Sequence, residues 1–226
     1  MIRKLIDTLL SIPWCYSASQ AILAPGANRM LTAALRERQR ELPAPGLLLD
    51  VGCGPASWLW KIGWTPVGLD VSCDYTKAFK HHGQDAITGS ACELPLANGV
   101  FDGVWCIGLL HHLQDDQARQ AIREMLRVCR PGGHVIIQDA VLPESAWRRP
   151  IAALIRRLDR GRSMRTRDQL VALLPDDKNW HIRCYTYTLN GLEMLECSQQ
   201  KRYQRHKNLQ EDASVSYSFS VKIKID

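Results

Sequence analysis

Two acids and the glycines between them are the residues whose spacing suggests chemistry. Asp50 closes the apolar run Leu47-Leu48-Leu49, and Gly52 and Gly54 follow it with Cys53 between them. Asp70 closes a second apolar run, Pro66-Val67-Gly68-Leu69, about 20 residues on. Glycines here let the chain turn tightly and let a ligand lie on bare main chain. A carboxylate ahead of such a loop receives a cationic ligand group. A carboxylate ending the second strand accepts both hydroxyls of a ribose. A dinucleotide loop also wants a third glycine, so that a helix N-terminus meets a pyrophosphate. Here Pro55 and Ser57 hold the fourth and sixth positions of the loop, and Asp50 would stand beside the diphosphate. The pattern therefore favours a nucleoside that carries an amine over one that carries phosphates. His111 and His112 follow a later apolar run. An imidazole has the pKa of a general base near neutrality, while local packing is the competing account of this pair.

The elements that must position these residues alternate strand with helix. Leu47 to Val51, Pro66 to Val71, Ala86 to Thr88, Gly103 to Ile107 and His134 to Gln138 read as five strands, apolar without alternation and so buried on both faces. The glycine loop is expected to open a helix. Another helix lies between the fourth and fifth strands, with Asp115 or Asp116 as its cap, Ala118, Ile122, Met125 and Leu126 as its stripe, and Pro131-Gly132-Gly133 as its end. Strands separated by helices give a parallel sheet with right-handed crossovers. Upstream, residues 1–12 and 27–41 have helical spacing. Downstream, residues 144–160 form an amphipathic helix with Trp147, Ile151, Leu154, Ile155 and Leu158 on one face. Trp180–Thr188 and Leu192–Cys197 read as a hairpin around Asn190-Gly191. Residues 215–225 alternate strictly, as an amphipathic strand does.

Composition narrows the class. The chain has 226 residues, 46 % of them hydrophobic, enough for one α/β domain with a full core. The net charge of +6 lies wholly in residues 143–226, which hold 16 basic and 10 acidic side chains. Eight arginines fall between Arg148 and Arg167. The eight cysteines contain no CxxC pair, so neither a metal nor a disulfide framework is expected, and a reducing cytoplasm fits. No run reaches the roughly 20 apolar residues of a membrane span, and Asp7 and Pro13 interrupt the N-terminal stretch against a signal peptide.

At five motifs the sequence resembles the class I S-adenosylmethionine-dependent methyltransferases, of the small type similar to the ubiquinone/menaquinone group. The motifs are LLLDVGCGPA (47–56), VGLDVS (67–72), GSACELPL (89–96), FDGVWCIGLLHHL (101–113) and LRVCRPGGHVII (126–137). The resemblance implies a three-layer Rossmann-like α/β sandwich. Its mostly parallel seven-stranded sheet has the order 3-2-1-4-5-7-6, with an antiparallel C-terminal strand. It implies one domain over 1–200, with a helical cap at 1–45, a covering insertion at 141–175 and a polar tail at 201–226. Asp50, Gly52, Cys53 and Gly54 are then expected around the methionine moiety of the cofactor. Asp70 takes the ribose, Val71 packs on the adenine, Ser90 and Ala91 stand beside the adenine amine, and Ile107 and Gly108 border the sulfonium. The family usually has Asp-Ala at 90–91, so Ser90 is a departure, as is Ala56 in place of the third glycine.

The resemblance further implies methyl transfer to a small-molecule or lipid-like acceptor, with S-adenosylhomocysteine as product. Such transfer often needs only alignment and desolvation, so a base is optional. Trp14, Tyr16, Trp147 and Ile151 are the expected lining of the acceptor pocket, with core packing as the alternative for each. The competing readings are an RNA methyltransferase of tRNA type using arginines 148–167 on phosphates, a non-catalytic cofactor-binding module, and a nicotinamide oxidoreductase. The arginine-rich segment also suits peripheral membrane contact, and a solvated helix face is its simplest account. Monomer and homodimer remain equal expectations.

Overall fold

A computed structural model describes residues 24–42, 46–145, 147–158, 163–175 and 179–202. The helix expected at 1–12, Trp14, Tyr16 and the alternating stretch 215–225 lie outside the described residues. Seven strands form one sheet: β1 Leu48–Val51, β2 Val67–Asp70, β3 Ala86–Thr88, β4 Phe101–Ile107, β5 Cys129–Val141, β6 His181–Thr186 and β7 Glu193–Gln200. Their order is β3-β2-β1-β4-β5-β7-β6. The first five are parallel, and β7 runs antiparallel between β5 and β6. This is the expected sheet.

Helices cover both faces because the central strands are apolar on both. Leu49, Val51, Val104, Cys106, Val135 and Ile137 point to one side, where they meet Ala118, Ile122 and Met125 of α3 (Asp115–Val128). Leu48, Trp105 and Ile136 point to the other and meet Leu31 and Leu35 of α1 (Ala27–Glu41). Between β2 and β3, α2 (Cys73–His81) starts on a Ser72 cap and buries Phe79. After β5 come α4 (Pro150–Leu158) and the short α5 (Arg167–Val171).

Several elements differ from the sequence expectation. The glycine loop opens only a five-residue 3-10 helix, Trp58–Ile62, capped by Ser57 and ended by Gly63 at φ 80°. Pro66 lies just beyond, and the left-handed turn at Gly63 leaves no room for a longer helix. The three tryptophans there pack, Trp60 against Phe79 and Trp64 edge-on to buried Trp105. The cap of α3 is Gln114, in a reciprocal box with Gln117, while Asp115 and Asp116 occupy the first turn. Acids in that turn complement the helix dipole. That helix ends at Val128, and Pro131-Gly132-Gly133 already belongs to β5.

The largest difference is α4. Its N-terminus is Pro150, a residue suited to a first helical turn, so residues 144, 145 and 147–149 lie outside the helix. Its buried positions are Ala152, Ala153 and Arg156, whereas Ile151 and Leu154 are exposed. Small side chains bring the helix close to Ala24, Tyr187 and Leu192. Arg156 then reaches the Tyr187 hydroxyl at 2.9 Å and the Glu193 carbonyl at 3.2 Å. Close approach and the two hydrogen bonds of Arg156 Nη2 outweigh the apolar stripe.

Candidate functional site

In the order β3-β2-β1-β4 the chain steps from β1 outward to β3 and then returns to the far side of β1. Ligands of open α/β sheets bind at the carboxyl ends of the strands, where the order reverses. Asp50 and the loop Gly52-Cys53-Gly54 occupy that reversal, because they end β1.

Asp50 is only 3 % exposed, and its Oδ2 accepts a hydrogen bond from the Ser57 hydroxyl at 2.5 Å. Burial pushes its carboxyl up to about 6; the Ser57 bond opposes this, and the charge of Asp70 adds to it. No ion pair or metal-ligand cluster includes Asp50 among the described residues. A buried carboxylate without a cation is costly, and an arriving ammonium group would relieve it. Gly52 and Gly54 take φ 75° and 61°, and both Gly52 N and Cys53 N donate to Leu69 O. A side chain at 52 would meet Leu109 at 3.0 Å, whereas nothing stands within 4 Å of the Cβ position of Gly54. The loop is thus folded onto β2 and leaves open space above Gly54. Cys53 is buried, its thiol donating to Gly54 O at 3.3 Å, and burial pushes that thiol well up, so it stays protonated.

Asp70 ends β2 beside this loop. Its two oxygens accept from Gly54 N at 3.0 Å and Ser72 N at 2.9 Å. These single bonds orient the carboxylate and leave each oxygen a further lone pair for a hydroxyl. Val71 next to it is 76 % exposed, an apolar platform at the edge of the site. Ser90 and Ala91 follow β3; Ser90 is exposed, its hydroxyl accepts from Cys92 N at 3.2 Å, and Ala91 packs on the core.

Ile107 and Gly108 end β4. Gly108 takes φ 73° and donates to Gln138 O at 2.8 Å. A 3-10 turn, Leu110–His112, then carries both histidines, with ring centroids 4.1 Å apart. His111 Nδ1 lies 2.5 Å from Asp139 Oδ1, and His111 N donates to Asp139 Oδ2 at 3.2 Å. Asp139 is almost fully buried at the end of β5, and His111 together with Ala140 N holds its carboxyl below the usual range against the effect of burial. Sequence reasoning missed Asp139. Its signal was an acid at the carboxyl end of a strand, the same signal that singled out Asp50 and Asp70.

Among the described residues, three of the eight arginines of the segment are engaged by the fold, while Arg148 and Arg167 are exposed. Arg149 pairs with Glu193 and bonds Gly191 O, Arg156 lies on Tyr187, and Arg165 is buried against Asp115. Trp147 and Ile151 are 89 % and 62 % exposed, so they enclose no cavity among the described residues. Trp14 and Tyr16, the other two residues of the expected acceptor lining, lie outside the described residues.

Residues 49–137 match a family model described as a methyltransferase domain. A tRNA (carboxymethyluridine(34)-5-O)-methyltransferase of Arabidopsis thaliana is 36 % identical over 101 residues, covering 42 % of this chain and 24 % of that one. A demethylmenaquinone methyltransferase of Mycobacterium marinum is 33 % identical over 134 residues, 58 % of this chain and 57 % of that one. The chain thus spans less than two thirds of either relative. The N-methyltransferase NodS of Bradyrhizobium japonicum, solved with S-adenosyl-L-homocysteine, superposes with a TM-score of 0.60 at 15 % identity, covering 79 % of this chain and 88 % of that one. Matched motifs, strand order and the acids at the strand ends agree: over residues 49–137 the chain carries a methyltransferase domain of the class I S-adenosylmethionine-dependent family.

Proposed function

We propose that the protein transfers a methyl group from S-adenosylmethionine to a small-molecule or lipid-like acceptor at oxygen, nitrogen or activated carbon. The observation that carries this reading is Asp50, a buried carboxylate without a cationic partner among the described residues, beside a glycine loop at the strand-order reversal. A ligand with an ammonium group and a ribose fits that donor set, and a diphosphate does not.

When bound, the cofactor supplies an electrophilic methyl on a sulfonium. Asp50 holds the ammonium, with Gly52, Cys53 and Gly54 as the wall. Asp70 accepts the ribose hydroxyls, Val71 packs on the adenine, and Ser90 and Ala91 lie beside its amine. A serine hydroxyl there is a weaker acceptor than a carboxylate. Ile107 and Gly108 border the sulfonium. His111 is the general base: the Asp139 carboxylate orients its ring and stabilises the imidazolium formed when the acceptor gives up its proton. His112 stacks on His111 and supports it. The methyltransferase fold acts as one domain, and the protein works in the cytoplasm. Among the described residues no helix is long and apolar enough to cross a membrane.

Titration calorimetry tests the reading. S-adenosylmethionine and its demethylated product should both bind, and Asp70→Ala should weaken each at least about tenfold, the loss of one charge-assisted hydrogen bond. Absence of binding of both ligands overturns it. The name of the Arabidopsis relative favours a second reading, methylation of tRNA. The internal engagement of Arg149, Arg156 and Arg165 weighs against it, and RNA affinity that falls steeply with salt would restore it.

A further inference from the structure

The turn that carries His111 is held from two sides. On one side Asp139 binds the His111 main-chain N–H and ring. On the other stands Arg165, from the segment between α4 and α5. Its Nη1 donates to Leu110 O at 2.8 Å, and its Nη2 to Leu113 O at 2.7 Å. Its Nε and Nη2 also donate to Asp115 Oδ1, at 2.9 and 2.8 Å. Ser163 N donates to His111 O at 3.0 Å. The carbonyls of residues 110, 111 and 113 are thus capped by residues 163–165. A 3-10 turn has poor internal hydrogen-bond geometry, so such caps decide its conformation. The main chain of Arg165 is itself tied to the end of β5, through a bridge to Val141 and a bond from Leu142 N at 2.8 Å. Asp139 lies two residues before Val141 on that strand.

We propose that Arg165 is a positioning residue for His111: its planar guanidinium brackets the Leu110–Leu113 turn so that the imidazole meets Asp139. A core packing role would need only an apolar side chain at 165. The observed role uses all three guanidinium nitrogens, each on the turn or on the acid that follows it. A lysine cannot reproduce that fork. The ionisable groups against His111 are Asp139 from β5 and His112 on the turn itself; Arg165 and Asp115 pair with each other at the turn's carbonyls, and the Cys106 thiol, buried near Asp139, is held neutral. The inference rests on the reading of His111 as the base.

The test reads the His111 ring directly, so it needs no acceptor. Full-length protein with isotope-labelled histidine is titrated by NMR, with the His111 signal assigned by its loss in His111→Gln. Calorimetry with S-adenosylhomocysteine runs in parallel. In Arg165→Gln the His111 midpoint and tautomer should move toward those of Asp139→Asn by at least about half a pH unit, with cofactor-product affinity within about threefold of the parent. Arg165→Lys should fall between. Should Arg165→Gln fail to fold, Asp115→Asn replaces it. That carboxylate is 63 % exposed, and its loss frees one edge of the fork, so the same shift at smaller size is expected. A His111 titration unchanged in the folded variant, with only a lower melting temperature, overturns the proposal. Failure of the parent protein to bind S-adenosylhomocysteine counts against the methyl-transfer reading alone.

Discussion

Asp139 Oδ1 lies 2.5 Å from His111 Nδ1, joining the end of β5 to the turn after β4. The carboxylate is depressed below its ordinary range although it is buried, so the attraction of the imidazole and of two main-chain N–H groups outweighs desolvation. A pair so arranged is neutral overall only when the imidazole carries a proton, the state reached after proton uptake. Asp139→Asn should reduce turnover by about 10²–10⁴ while cofactor affinity holds, as loss of a base's orienting carboxylate does. Steady-state rates with labelled methyl donor, set beside calorimetry, check this; equal turnover in the variant removes His111 from the mechanism.

Asp50 predicts a pH dependence of opposite origin. Its folded-state pKa is raised to about 6 from an unfolded value near 4, so folding penalises the charged form. The penalty is absent below about pH 4, grows between 4 and 6, and is complete above, at roughly 3 kcal/mol as an upper bound. Asp50→Asn should therefore melt several degrees higher than the parent at pH 8 and at nearly the same temperature at pH 4. The same variant should lose cofactor binding. In the parent, affinity for the ammonium-bearing cofactor should fall below pH 6 by close to tenfold per unit. A flat affinity between pH 5 and 8 contradicts the placement of the ammonium on Asp50.

Gly52→Ala should be damaging for two reasons together. The position has φ 75°, and its Cβ would meet the Leu109 side chain at 3.0 Å. The left-handed backbone costs about 1–2 kcal/mol for an L-residue, and displacing Leu109 disturbs the turn before His111. Chemical denaturation should show a loss of this size, accompanied by weaker cofactor binding. Gly54→Ala, with open space around it, should lose less stability.

A buried charge network sets the stability of the far side. Glu196, fully buried on β7, accepts from Arg38 of α1, from Gln138 Nε2 on β5 at 2.5 Å and from Arg183 of β6 at 3.5 Å. Glu196→Ala removes the buried acid shared by Arg38 and Arg183 and leaves each only its outer partner, Glu41 or Glu37, which costs about 3–5 kcal/mol. Urea unfolding should show this loss with little change in cofactor affinity at the parent's permissive temperature, since the network lies on the face away from α3. A change below about 1 kcal/mol would mean that the existing pairs with Glu41 and Glu37 suffice for Arg38 and Arg183.

The sequence by itself determined the strands of the sheet and the residues at their carboxyl ends. Each strand is a local apolar run, and Asp50, the glycines and Asp70 sit at or beside the ends of their own strands, so position along the chain already states their place in space. The helix 27–41 and the hairpin follow from such local patterns, whereas the strand order was implied by the resemblance of the five motifs to a known family. Tertiary structure alone decided the rest. Asp139 meets His111 across 28 residues of chain, and Arg165 meets Leu110 across 55. Neither pairing has a local signature. Arg149, Arg156 and Arg165 read as a charged surface because periodicity counts charge and not partners; in the fold each finds carbonyls or an acid, and a guanidinium so bonded can be drawn inward, as Arg165 is. For the same reason α4 turns Ala152, Ala153 and Arg156 inward and leaves Ile151 exposed: which face is buried depends on what the neighbouring elements offer, and that is known only once the chain has folded.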